Sequence, residues 1–177
     1  MKQVIFTVGR FNPPTRGHAK LVSRVKELAR AANCDYRLFT TRSQDRKKNP
    51  LDVDQKLEFL KAFFPNEDFE ATTNAFTACR DMAKEGYERA LIVVGEDRDG
   101  EMIDALKAYI NHPDAEKSIG MQEINAYVLE RDAADFSATK ARICAVNEDF
   151  EGFCEIVPPA DIKVLKALFD AVRQGLR

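Results

Sequence analysis

The chain has 177 residues, 45% of them hydrophobic and 32% charged, with a formal net charge of −2. That length can bury a core of its own, and the near-neutral charge gives no global reason to expect nucleic acid as a partner. The first residues offer one lysine and too short an apolar run for a secretory leader, and no window reaches the roughly 20 apolar residues a membrane span needs, so a cytoplasmic protein without membrane contact is expected.

Along the chain, strand-like and helix-like segments alternate, the pattern of a parallel sheet wrapped by helices. Val4 to Val8 reads as the first strand. It runs into Gly9-Arg10-Phe11-Asn12-Pro13-Pro14-Thr15-Arg16-Gly17-His18, after which Leu21, Val22, Val25, Leu28, Ala29 and Ala32 recur at helical spacing from near His18. Tyr36 to Thr40 is a second strand, followed by a basic polar loop with Arg42, Arg46, Lys47 and Lys48. Asp52 and Gln55 form a capping-box pattern before a helix carrying Leu57, Leu60, Phe63 and Phe64.

Phe69 to Thr72 is a short third strand, and Phe76, Cys79, Met82 and Ala83 mark the next helix, which stops at Gly86. Ala90 to Val94 is uniformly apolar, as a strand buried on both faces should be. It ends at Gly95-Glu96-Asp97-Arg98, before a helix with Met102, Ile103, Leu106 and Ile110. Ile124 to Leu129 gives a fifth strand, Ser137 to Arg142 another helix start, and Ile162, Leu165, Leu168, Phe169 and Val172 the buried stripe of a last helix from about Ala160. The expected fold is therefore α/β: a Rossmann-like, doubly wound, parallel five-stranded sheet with helices on both faces and a C-terminal helix, in a single domain over 1–177. Four cysteines without C-x-x-C spacing argue for packed thiols rather than a metal site, and no metal-ligating residues are expected.

The polar motifs all fall where strands end, the edge at which open α/β sheets bind ligands. The first is the most informative, because a loop running into a helix N-terminus offers unpaired N–H groups and partial positive charge to a phosphate. Its glycine spacing fits neither a Walker A loop nor G-x-G-x-x-G.

Gly9 to His18 resembles the T/H-x-G-H motif of the nucleotidylyltransferases. Gly95-Glu96-Asp97-Arg98 resembles that family's G-x-D segment, and Ser137 to Arg142 its I-S-x-T-x-x-R segment, with Phe136 in place of isoleucine. Gly9-Arg10-Phe11 and Asn49-Pro50-Leu51 are similar to the nicotinamide mononucleotide adenylyltransferase branch. Thr15, standing where many members have histidine, is shared with phosphopantetheine adenylyltransferases.

The resemblance implies transfer of AMP from ATP to a small phosphorylated acceptor, with pyrophosphate released and Mg2+ accompanying the ATP. It implies catalytic roles for His18, Thr15, Lys140 and Arg142. It also implies nucleotide contacts from Gly9, Arg10, Phe11, Asn12, Gly17, Gly95, Asp97, Arg98, Ser137 and Thr139. The alternatives are a phosphopantetheine adenylyltransferase, a cytidylyltransferase, or a nucleotide-binding module without turnover. A homo-oligomer stays open, because no helix is apolar all round.

Overall fold

The computed structural model describes residues 1–96, 100–130 and 136–177. In chain order the elements are β1 (Gln3–Gly9), α1 (Arg16–Ala32), β2 (Asp35–Thr41), α2 (Val53–Phe63), β3 (Phe69–Thr72) and α3 (Ala75–Lys84). Then follow β4 (Arg89–Gly95), α4 (Gly100–Ala108), β5 (Glu123–Leu129), α5 (Ala138–Val146), α6 (Phe150–Ile156) and α7 (Ile162–Gly175). The five strands form one parallel sheet in the order β3-β2-β1-β4-β5. Strand order reverses between β1 and β4, which is the doubly wound, Rossmann-like arrangement the alternating pattern predicts.

The chain forms two compact units, each assembled from three segments. The first comprises residues 1–8, 21–39 and 72–131. Here β1 pairs with β4 from Gln3 opposite Arg89 to Phe6 opposite Ile92, and β4 pairs with β5 from Arg89 opposite Glu123 to Gly95 opposite Leu129. Val4, Phe6, Ile92, Val94 and Ile124 pack with Ala78, Cys79 and Met82 of α3 in a buried core. The buried Thr7 hydroxyl donates to the Val93 carbonyl at 2.8 Å, so a polar residue sits in a buried strand with its proton satisfied.

The second unit comprises residues 9–20, 40–71 and 132–177. Its core joins Leu51 to Ala141, Ala145, Phe153, Val157, Leu168, Phe169 and Val172. Phe150 and Phe153 each meet Phe169 edge-on with ring centres 5.2 Å apart, a favoured aromatic geometry. Gly175 ends α7 against Pro50 so closely that a Cβ would stand 2.0 Å from the Pro50 carbonyl oxygen.

Local chemistry sets the helix boundaries. The Asp52–Gln55 capping box forms in both directions, as its spacing requires. Helix α1 begins at Arg16, two residues before the apolar periodicity suggests, because Thr15 supplies its first acceptors. The Thr15 carbonyl takes the Ala19 N–H at 3.1 Å, and its hydroxyl takes the His18 N–H at 3.3 Å. Helix α7 starts after the Asp161 cap rather than at Ala160. The short α6 has too few residues to show a period; its signal is Asp149, which caps it by accepting the Gly152 N–H at 2.9 Å.

Candidate active site

Residues Gly9 to Lys20, Thr40 to Ala71 and the α5 segment all belong to the second unit, so most of the motifs identified by sequence share one scaffold. The first loop is built around Phe11. Its backbone takes φ +48°, a left-handed conformation uncommon for a bulky residue, and its side chain is fully buried. The ring lies under the His18 imidazole, centres 4.7 Å apart, and meets Phe69 edge-on at 5.5 Å. A Cβ on Gly9 would stand 2.9 Å from this same ring. Gly9 is therefore small to admit Phe11, and what Phe11 can offer a ligand is its backbone.

His18, at the start of α1, is held in one tautomer. The Thr15 backbone N–H donates to Nδ1 at 2.9 Å, and an amide can only donate, so Nδ1 accepts and the ring proton resides on Nε2. Thr15 Oγ1 lies 3.2 Å from the same nitrogen. The motif's threonine thus aligns the histidine through its backbone and caps the helix through its side chain, which a histidine at position 15 would do differently. Gly17 leaves modest room, with the Phe136 carbonyl oxygen 3.4 Å from where a Cβ would be.

Asn12 joins the first loop to the segment after β2. Its Nδ2 donates to the Leu51 carbonyl at 3.1 Å, while its Oδ1 accepts the Leu51 N–H at 2.8 Å. The backbone carbonyl of Asn12 takes a third bond, from Arg142 at 2.9 Å. Arg142 also donates to Thr139 Oγ1 at 3.2 Å. Ser137 caps α5 by accepting the Lys140 N–H at 3.1 Å, so the S-x-T-K-x-R segment opens a helix as its pattern predicts. Lys140 is exposed and Arg142 half-buried. Burial and nearby Arg10 pull the Arg142 guanidinium below its usual range, with Asp45 opposing.

Three contributors had weak sequence signals or none. Asp45 organises the basic loop: one carboxylate oxygen accepts the N–H groups of Lys47, Lys48 and Asn49 at 2.8, 2.7 and 3.2 Å, and the other takes Asn49 Nδ2 at 2.7 Å. Those bonds hold the carboxyl far below the ordinary carboxylate range. Arg16 crosses to α6, donating to the carbonyls of Val157 and Cys154, each at 3.1 Å. Lys56 on α2 is wholly buried, with its ammonium on the Thr41 carbonyl. Lys56 stands four residues before Leu60, on the buried face of α2, so periodicity places it inward and only its charged residue type reads it as surface.

Gly95 ends β4 in the first unit. Asp97 and Arg98 lie outside the described residues. Among the described residues no cluster of three or more His, Cys, Asp or Glu side chains could hold a metal ion, and no helix is long and apolar enough to cross a membrane.

The strand order and the loop-to-helix turn at the carboxyl end of β1 define a protein of the Rossmann-like α/β class. A family model described as Cytidylyltransferase-like matches residues 6–142, which takes in all three sequence motifs. The chain belongs to this family, within the nucleotidyltransferase superfamily. Among 78 matching chains of solved structures is a crystal structure of Thermotoga maritima TmcAL bound with alpha-thio ATP, at 15% identity and a TM-score of 0.62. The match covers 96% of this chain and 56% of that one, so this chain spans little more than half the length of that relative, and the likeness is one of fold. No curated protein sequence matches the chain.

Proposed function

We propose that the protein transfers AMP from ATP to a small phosphorylated acceptor, most like nicotinamide mononucleotide. The observation carrying this reading is His18, a neutral imidazole locked by Thr15 with its proton on Nε2, at the N-terminus of α1 beside a loop tied to Arg142. An acceptor phosphate is already ionised at neutral pH, so the reaction needs no general base. One of its oxygens bonds to the α-phosphorus, the bond to the bridging oxygen breaks, and pyrophosphate leaves with that electron pair. The protein's task is then to position the reactants and to stabilise charge on the transferred group.

In this scheme His18 donates to the α-phosphate, with Thr15 holding its ring. Lys140 and Arg142 hold the β- and γ-phosphates, helped by Ser137 and Thr139, whose accepting roles within α5 leave their own hydroxyl protons to give. Arg10 reaches a phosphate from the first loop, where Gly9, Phe11, Asn12 and Gly17 shape the backbone. Gly95, Asp97 and Arg98 serve the nucleoside. Magnesium would arrive on the phosphate oxygens and their water, which suits a site whose own groups are cations and hydroxyls.

The description of the family model favours a second reading, transfer of CMP from CTP. Pyrophosphate release decides between them, measured with ATP or CTP against nicotinamide mononucleotide, nicotinate mononucleotide and phosphopantetheine. Turnover with ATP and a mononucleotide supports the first reading, and turnover with CTP alone replaces it. His18→Ala should lower kcat about 100-fold or more; unchanged turnover would remove His18 from the chemistry. Nucleotide binding without release in any pairing would leave a binding module.

A further inference from the structure

Lys56 is 0% exposed, in the second turn of α2. An ammonium has three N–H donors, and the Thr41 carbonyl takes one of them. Among the described residues no carboxylate lies within ion-pairing distance of it. The charged group facing it from the first loop is Arg10, of the same sign, and Arg10 also faces Arg142 of α5. Asp45, the carboxylate that acts on Arg142, is committed to its own loop. A buried cation without a counter-charge has two ways to lower its free energy: shed its proton or gain an anion.

We propose that phosphate binding at this site is coupled to proton uptake by Lys56: the anion drawn to Arg10 and Arg142 supplies the negative charge Lys56 lacks, and whatever fraction of the amine has shed its proton takes one from solvent to become an ammonium. The inference rests on reading the site as one for nucleotide phosphates, and it adds a pH dependence that an arginine at position 56 would not give. Burial, then Arg10, lowers the free lysine to about 8. A bound anion returns it towards its ordinary value of about 10.4.

Calorimetry with ATP, free of metal, in two buffers of unlike ionisation enthalpy measures the coupling. At pH 8.5 ATP is fully ionised, so the ligand itself exchanges no proton. The full chain should take up roughly 0.7 proton per ATP at that pH and about 0.1 or less at pH 7. Affinity should fall about 20-fold from pH 7.5 to 9.5.

Lys56→Arg, charged throughout, should bind ATP with no uptake and a flat profile. Lys56→Met should lose the uptake and bind about 10-fold or more weakly at pH 7. Circular dichroism checks that each variant folds, and either variant alone suffices for the comparison. Uptake below about 0.2 proton in the wild type, or uptake that survives in a folded variant, would overturn the coupling while leaving the nucleotide site standing. Absence of ATP binding at every pH would overturn the site and the coupling together.

Discussion

Replacing Asn12 with alanine should destabilise the protein by about 3 kcal/mol. The side chain is 1% exposed and makes a two-way clip with Leu51, itself fully buried: one bond given at 3.1 Å, one received at 2.8 Å. Truncation leaves both backbone groups of Leu51 dry and unpaired, and each such group costs about 1–3 kcal/mol. For a chain of this size about 2–4 °C of Tm follows each kcal/mol, so thermal unfolding should begin roughly 8 °C lower. Asn12→Asp sharpens the test. Its carboxylate can still accept the Leu51 N–H, but it faces the Leu51 carbonyl with no proton to give, so it should lose at least as much as alanine. Urea denaturation followed by circular dichroism provides the free energies. If both variants stay within about 0.5 kcal/mol of wild type, the clip is not what joins these two segments and the site's architecture has been misread.

Three further outcomes can be checked independently. Gly175→Ala drives a methyl into the Pro50 carbonyl and should cost about 1–3 kcal/mol, whereas Gly100→Ala, with nothing among the described residues within 4 Å of its Cβ, should not; chemical denaturation compares them. Burial, and then the 2.5 Å bond from its hydroxyl to Asp35, pushes Tyr87 up to about 12. The folded state therefore keeps this proton after the unfolded chain has lost it, and stability should fall as pH rises from about 10 to about 12; Tyr87→Phe should show a smaller fall in parallel urea titrations. All four cysteines are free thiols, but Cys79 is buried, which pushes it up to about 12. Iodoacetamide at pH 8 should label it last, as peptide mass spectrometry would show, and labelling of Cys79 before Cys34, Cys144 and Cys154 would contradict its place in the core.

The strands were legible because a parallel sheet imposes a one-dimensional signature, and Ala90 to Val94 needs no partner to be recognised as buried. The capping box at Asp52 and the cap at Ser137 were equally local, each fixed by three or four neighbouring residues. Asn12 and Arg16 were not legible in the same way. Their partners, Leu51 and the carbonyls of Cys154 and Val157, are 39 to 141 positions away, and nothing in the residue types says which carbonyl will be met. Phe11 shows a third case: the sequence places it in a ligand loop, and only packing reveals that its ring supports His18. Lys56 inverts the usual rule that a lysine marks a solvent face: its spacing from Leu60 points inward while its charge points outward, and only the tertiary structure decides between them.

The residues shared with the family end at Arg142, yet the first loop of this chain is moored beyond that point. Arg16 grips α6, and Pro50 rests against the end of α7. The last 35 residues thus act as a brace for a site whose recognisable motifs they do not contain, and the motif-bearing portion is not a portable module. Grafting residues 1–142 onto another carrier would transplant the motifs without their foundation, so any engineering of this site should begin from its C-terminal helices.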